Sequence, residues 1–169
     1  DVRLRQIGAG IVRPCQHDGC ERLVDLEQVD VVEGEPGTLQ HHDVAQDYID
    51  RISSDVQLDR RLKVVVDAGN GVAGAIAPQV LTAIGAEVTP LYCEVDGTFP
   101  NHHPDPSEPH NLESLIQVVK RLDADLGIAF DGDGDRLGVV TKEGKNIFPD
   151  RVLMLFAADV LERNPGAMI

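Results

Sequence analysis

The sequence predicts an α/β fold, in which a mixed, mostly parallel sheet of about four strands is flanked by helices. Two observations predict this fold. Beyond about residue 40, short β-branched runs alternate with amphipathic segments, as in strands covered by crossover helices. The third and fourth strands are joined by only about six residues, which is too short for a parallel crossover. The last strand pair should therefore be antiparallel.

The first three elements are predicted from periodicity and residue type. Residues 43–55 carry one apolar stripe at helical spacing and predict a helix. The β-branched run 62–67 predicts a buried strand. Residues 73–84 are small and apolar and predict a second helix. Because an interior proline disrupts a helix, Pro78 indicates that this region starts as a turn and that the regular helix begins close to it.

The middle of the chain contains an edge strand and a long loop. Residues 87–92 predict a strand, and Pro90 within it is typical of a sheet edge. Residues 96–109 form a loop with four prolines, which we expect to be stiff and to pack near the aspartate loop described below or against another domain. Asn111 is a candidate helix cap. The helix that follows carries a stripe made of Leu112, Leu115, Ile116, Val119 and Leu122.

The last elements are two strands and a helix. Residues 125–130 and 137–141 predict the antiparallel strand pair. Glu143 and Gly144 indicate a turn after the second of these strands. Residues 150–163 predict the final helix. Residues 1–40 have weak periodicity and are expected to be a divergent arm or an interdomain linker, so that residues 41–165 form the domain proper.

Composition excludes some classes of partner. The net charge of -14 argues against a nucleic-acid-binding protein, which needs a basic face. The longest uncharged run, 68–86, contains Gly, Asn, Pro, Gln and Thr and predicts no membrane span. The cysteines Cys15, Cys20 and Cys93 form no metal-binding pattern and indicate a reduced, cytoplasmic protein.

An aspartate loop is the strongest chemical signal. Asp131, Asp133 and Asp135 alternate with two glycines directly after a predicted strand, where ligands bind in α/β sheets. Crowded carboxylates repel one another unless a cation lies between them, and hard oxygen ligands favour Mg²⁺. Arg136 follows at once and is suited to gripping phosphate. Two alternatives without a ligand remain. The aspartates could form a solvated acidic turn, and Arg136 could serve only to balance their negative charge.

Two other acidic motifs do not fit this loop. A calcium-binding EF-hand needs Gly at its sixth position and Glu at its twelfth, where this chain has Arg136 and Lys142. A phosphatase that forms an aspartyl-phosphate would carry a small hydroxyl residue after Asp-x-Asp, where Gly134 and Asp135 stand instead.

A glycine-rich turn offers an alternative function. Residues from Gly69 to Gly74 fit the pattern G-x-G-x-x-G after a strand and before a helix, with Glu94 about 20 residues on. This is the pattern of a dinucleotide-binding module. Pro78 weakens that interpretation, and a tight turn with close packing explains the same glycines.

Three motifs in order resemble one protein family. The segments KVVVDAGNGVAGAIAPQVL, PLYCEVDGTFPNHHPDPSEPHNL and ADLGIAFDGDGDRLGVV are similar to the second, metal-binding domain of the α-D-phosphohexomutase superfamily, in its phosphomannomutase/phosphoglucomutase branch. The resemblance covers residues 43–169. It implies an enzyme, an intramolecular phosphotransferase that interconverts hexose 1-phosphate and 6-phosphate through a phosphoserine and a bisphosphorylated sugar.

The resemblance also assigns roles. It implies that Asp131, Asp133 and Asp135 bind Mg²⁺ and that Arg136 contacts the phosphate in transfer. The family's serine loop matches nothing in this chain, whose serines are at 53, 54, 107 and 114. We therefore expect the chain alone to be inactive, to share its phosphosugar with other domains, and to connect to a following domain through residues 166–169. A stand-alone, non-catalytic domain is the alternative, and an isolated domain could associate with itself through exposed apolar surface.

Overall fold

A computed structural model describes residues 43–169, and the predictions for residues 1–40 lie outside the described residues. Most predicted elements are present with small changes in their bounds. The four α-helices of residues 43–169 are α1 (Ala45–Asp55), α2 (Ala77–Ala83), α3 (Glu113–Leu122) and α4 (Pro149–Arg163). The strands are β1 (Lys63–Asp67), β2 (Glu87–Leu91), β3 (Leu126–Phe130), β4 (Leu137–Thr141) and β5 (Asn146–Ile147).

The sheet is mixed, as the sequence predicts. Its strand order is β2-β1-β3-β4-β5. Strand β1 pairs in parallel with both β2 and β3, whereas β3 and β4 are antiparallel, with Phe130 opposite Leu137. Pro90 lies in β2, which is an edge strand and pairs only with β1. Proline is tolerated there because the N–H that it lacks is not needed to pair with a further strand. The sheet has five strands where the sequence predicts about four, because the turn at Gly144 leads into the two-residue strand β5.

Alternation along β1 divides the core between the two faces of the sheet. Val65 points to one face, where α3 covers it. Val64 and Val66 point to the other face, towards the side of α2. The larger cluster joins β1, β3 and β4 to α3 and consists of Val65, Leu112, Leu115, Val119, Ala124, Ala129 and Val140.

One local prediction is confirmed with narrower helix bounds, and another is wrong. The helix predicted over 73–84 is a 3-10 turn at Val72–Ala75 followed by α2, so the regular helix does begin beside Pro78. Asn111 does not cap a helix, because it lies inside a second 3-10 turn, Pro109–Leu112, and Leu112 precedes α3. The side chain of Asn111 instead turns inward and donates from Nδ2 to the backbone oxygen of Asp105 at 2.9 Å.

Helix α4 is the least covered element of the described chain. None of its residues is buried. The exposed fraction of the side chains reaches 68% at Leu155 and 55% at Phe156. Among residues 43–169, no helix combines the length and the apolarity needed to cross a bilayer.

Candidate metal centre

The aspartate loop connects β3 to β4 at the carboxyl end of β3. Asp131, Asp133 and Asp135 each offer a carboxylate oxygen, and these oxygens all lie within 4.8 Å of one another. Asp131 is buried, with 2% of its surface exposed, whereas Asp133 and Asp135 are exposed. The loop thus groups one buried and two exposed carboxylates at the carboxyl end of β3.

Backbone geometry allows the loop to turn this tightly. Gly134 has a φ of +81°, a conformation that residues with a side chain rarely adopt. Its N–H donates to the carbonyl of Asp131 at 3.3 Å. This turn explains why glycine stands between Asp133 and Asp135 and how the loop brings their side chains together.

The pKa values of Asp131 and Asp135 are shifted in opposite directions. Burial raises the pKa of Asp131, but hydrogen bonds from the backbone and side chain of Arg136 outweigh it and lower the pKa to about 2. The pKa of Asp135 is raised, chiefly because the carboxylates of Asp133 and Asp131 repel its negative charge. The loop therefore holds one firmly ionised carboxylate and one whose ionisation is opposed by its neighbours, which is the situation that a cation relieves.

Two carboxylates hold the guanidinium of Arg136. Its Nε donates to Oδ2 of Asp131 at 2.8 Å, and its Nη1 donates to Oδ1 of Asp105 at 3.2 Å. Nη2 makes no hydrogen bond to any residue from 43 to 169, and 57% of the side chain is exposed. A cavity of about 360 Å³ opens beside Arg136 and is also lined by Pro106 and Phe156. The free side of the guanidinium can thus meet an anion.

The proline-rich loop packs against the aspartate loop. This is one of the two positions that the sequence predicts for it, the other being against another domain. A side chain added at Gly132 would lie 3.5 Å from Cγ of Pro104 and 3.7 Å from the ring of Phe99. Asp105, in the same loop, reaches Arg136. The two loops therefore form one surface at the carboxyl end of the sheet.

A contact between His102 and a buried carboxylate ties this loop to β1. Nε2 of His102 lies 3.1 Å from both carboxylate oxygens of Asp67, whose side chain is fully buried at the end of β1. Burial raises the pKa of Asp67 against the opposing effects of the Gly69 N–H and of His102. His102 therefore anchors the loop and, in the described residues, joins no metal cluster.

The glycine-rich turn packs closely rather than opening a helix. Its regular helix, α2, begins only at Ala77 and has seven residues. A side chain at Gly74 would collide with the backbone of Cys93, and one at Gly69 would lie 2.9 Å from Cβ of Pro104. These contacts favour the packing explanation of the glycines over a dinucleotide fingerprint.

Sequence reasoning missed the two acidic partners in the site. Asp105 and Asp67 contact Arg136 and His102 across 31 and 35 residues. The only local signal for Asp105 was the pattern Asp-x-Ser, in which Oδ1 accepts hydrogen bonds from the N–H and hydroxyl of Ser107. That signal predicts a turn but does not identify the arginine.

Fold and site together define an α/β domain with an acidic loop and an arginine at the carboxyl end of its sheet. A family model described as phosphoglucomutase/phosphomannomutase, alpha/beta/alpha domain II, matches residues 46–144. This chain belongs to that family.

Relatives agree with the assignment. The chain is 60% identical over 133 residues to a Pseudomonas putida protein named phosphomannomutase/phosphoglucomutase, covering 79% of this chain and 29% of the relative. It is 58% identical over 144 residues to the Pseudomonas aeruginosa protein of the same name, covering 85% and 31%. A crystal structure of a phosphoglucomutase/phosphomannomutase family protein from Burkholderia thailandensis matches with 58% identity and a TM-score of 0.73, over 76% of this chain and 28% of that one. The chain therefore spans about 30% of the length of these curated relatives.

Proposed function

We propose that residues 43–169 are the Mg²⁺-binding domain of a phosphohexomutase that interconverts the 1- and 6-phosphates of mannose, glucose or both. One observation carries the proposal: the three carboxylates of Asp131, Asp133 and Asp135 converge within 4.8 Å beside Arg136. Family membership and the names of the relatives support the reaction class.

The donor set suits magnesium better than other common metals. Three carboxylate oxygens are hard ligands, and among the described residues no histidine or cysteine joins the cluster. Mg²⁺ prefers such ligands in an open site, where it keeps positions for water and for a phosphate oxygen. The raised pKa of Asp135, caused by the neighbouring carboxylates, is consistent with a place for positive charge.

The residues of this domain would bind and orient the transferred phosphoryl group. Arg136 would bind its oxygens through the N–H groups that Asp131 and Asp105 leave free. Asp131 would keep the guanidinium aimed at the site and, with Asp133 and Asp135, would hold the cation. When bound, Mg²⁺ would neutralise charge on phosphoryl oxygens and favour transfer.

The remaining parts of the reaction belong to other domains in this proposal. The phosphoserine that exchanges phosphate with the sugar would lie outside this chain, and further domains would recognise the sugar itself. The chain alone would therefore have no mutase activity. A cytoplasmic location accompanies the proposal, because the substrate is a phosphosugar and Cys93 is a free thiol.

A titration of the chain with Mg²⁺ tests the metal site directly. Backbone amide signals of residues 131–136 are followed by NMR, and we expect them to shift with Mg²⁺ in the native chain but not in Asp133→Asn. The matched control is Asp59→Asn, which removes the same charge from an exposed bend away from the loop. If Asp133→Asn binds Mg²⁺ as the native chain does, the metal site is wrong.

A chimera tests the reaction. Residues 43–169 replace the matching part of the Pseudomonas aeruginosa relative, and turnover of glucose 1-phosphate and mannose 1-phosphate is measured. We expect Mg²⁺-dependent turnover by the chimera and none by the chain alone. A normal rate for the isolated chain would contradict the placement of the serine outside it, and an inactive but folded chimera would contradict the domain's role.

A further inference from the structure

Asp105 and Asp96 are two versions of the same local structure in the proline-rich loop. Oδ1 of Asp96 accepts from the N–H of Thr98 at 2.9 Å and from its hydroxyl at 2.8 Å. Oδ1 of Asp105 accepts from the N–H of Ser107 at 3.0 Å and from its hydroxyl at 2.7 Å. These turns hold each carboxylate in one place, but of the two only Asp105 faces Arg136.

Asn111 further restrains the turn at Asp105. Asn111 is buried with 3% exposure and donates from Nδ2 to the backbone oxygen of Asp105, and its own N–H donates to Glu108. Hydrogen bonds from Ser107 lower the pKa of Asp105, and the charge of Arg136 adds to this effect. Asp105 is thus an ionised group in a rigid frame.

We propose that Asp105 is a positioning residue, which fixes the guanidinium plane of Arg136 so that its free N–H groups face the phosphoryl group. The inference rests on the proposed function and extends it to a residue outside the aspartate loop. Asp131 alone holds the guanidinium at Nε, which leaves the guanidinium plane free to pivot about that one hydrogen bond. The second contact, from Nη1 to Asp105, removes that freedom.

The geometry separates the roles of the two carboxylates. A turn about the Nε–Cζ bond exchanges Nη1 with Nη2, so it must break the contact to Asp105. The same turn leaves the hydrogen bond from Nε to Asp131 intact. The rate of this exchange therefore reports on Asp105 specifically, whereas the Nε–H signal reports on Asp131.

The Asp105→Asn variant removes the charge and keeps the turn. An asparagine Oδ1 still accepts from Ser107, so the loop retains its local hydrogen bonds. Since a charge-assisted hydrogen bond is roughly twice as strong as a neutral one, we expect the exchange of Nη1 and Nη2 in Arg136 to become about three- to tenfold faster. The measurement is 15N NMR of the arginine side chains in the full chain, and Asp96→Asn is the control that should change nothing at Arg136.

The chimera with the Pseudomonas aeruginosa relative supplies the functional readout. Asp105→Asn is expected to lower kcat about tenfold and to leave the Mg²⁺ concentration for half-maximal rate unchanged, whereas Asp96→Asn leaves both unchanged. In an Arg136→Ala background, Asp105→Asn should have no additional effect, because the residue that it orients is gone.

The outcomes separate this inference from the proposed function. If Arg136→Ala lowers activity but Asp105→Asn changes neither the exchange rate nor kcat, the positioning role is overturned and the proposed function stands. If Arg136→Ala leaves activity unchanged, the phosphate-binding role of Arg136 fails and the inference falls with it. Equal effects of Asp105→Asn with and without Arg136 would also overturn it, because they indicate a general effect on the loop.

Discussion

The backbone N–H of Val72 donates a hydrogen bond of 3.1 Å to the carbonyl oxygen of Gly132. It joins the glycine-rich turn after β1 to the aspartate loop after β3. Gly71 lies at the same contact, and a side chain there would be 2.8 Å from the oxygen of Gly132 and 3.0 Å from that of Asp131. The glycine-rich turn therefore packs against the backbone of the aspartate loop and supports it.

The first prediction concerns Gly71→Ala. Gly71 has a φ of -75°, which any residue adopts, so the effect of alanine comes from its contacts with rigid backbone. We expect the aspartate loop to shift and Mg²⁺ affinity to fall about tenfold, or ~1.4 kcal/mol. Isothermal titration calorimetry with Mg²⁺ measures this affinity. Gly97→Ala is the control, because a side chain there meets nothing within 4 Å. Equal Mg²⁺ affinities for both variants would contradict the supporting role of the turn.

Local patterns predicted most of the fold. The apolar stripe on α3 reflects burial of one face of the helix, and the β-branched run of β1 reflects burial of both faces of the strand. The spacing of hydrophobic residues along the sequence predicts both. The short link between β3 and β4 required an antiparallel pair. The aspartate loop could be recognised because all its carboxylates lie within five consecutive residues.

Contacts between distant segments could not be predicted in this way. Asp105 meets Arg136 only because the proline-rich loop folds back over the end of β3. Asn111 looked like a helix cap because its side chain suits one, but burial against Asp105 decides its conformation. Strand β5 has two residues, too few for any periodicity.

A second prediction concerns the sign of a stability change at Asp135. The pKa of Asp135 is raised because Asp133 and Asp131 repel its charge, so its ionised form destabilises the metal-free domain at neutral pH. Asp135→Asn should therefore raise Tm in a chelator and lower it, relative to the native chain, in saturating Mg²⁺. Differential scanning calorimetry under both conditions checks this reversal. A shift of the same sign in both would show that Asp135 does not contact the cation.

A third prediction follows from the low pKa of Asp131. Hydrogen bonds from Arg136 overcome the effect of burial and lower the pKa to about 2, from an ordinary value of 3.8. A carboxylate of this kind stabilises the fold above its ordinary pKa, and that contribution is lost as the pH falls towards about 2. Urea unfolding of the metal-free chain between neutral and acid pH should show this loss, and Asp131→Asn should unfold with a flatter pH dependence. Parallel curves for the two proteins would be inconsistent with an ionised Asp131 held by Arg136.

A fourth prediction tests the packing of α3 on the sheet. Leu115 is fully buried, and its Cδ1 lies so close to β3 that a side chain at Gly127 would approach it to 2.8 Å. Leu115→Ala should lower the free energy of unfolding by about 2–5 kcal/mol. Val95→Ala, at an exposed position outside α4, should change it by less than about 0.5 kcal/mol. Similar losses for the two variants, measured by urea unfolding, would contradict the burial of Leu115 between α3 and the sheet.

The fifth prediction is that the isolated chain associates with a second copy of itself through α4. Four consecutive apolar side chains of this helix are exposed by more than half: Leu153, Met154, Leu155 and Phe156. Four residues in a row surround a helix, so the sheet can cover only part of them. We expect the burial of this apolar surface against a second copy to outweigh the repulsion that comes from the net charge of -14. We therefore expect the sedimentation coefficient to rise with protein concentration, and to rise further with added salt, which screens the repulsion.

A pair of variants that add the same charge locates the contact. Phe156→Glu should weaken association about tenfold, or ~1.4 kcal/mol, because it places a carboxylate in the apolar contact. Val95→Glu changes the net charge equally at an exposed position outside α4, with 52% exposure, and should have little effect. If both variants weaken association equally, repulsion between whole molecules explains the result and α4 is not the contact. A native chain that remains monomeric at every concentration would show that the exposed residues of α4 do not hold two copies together.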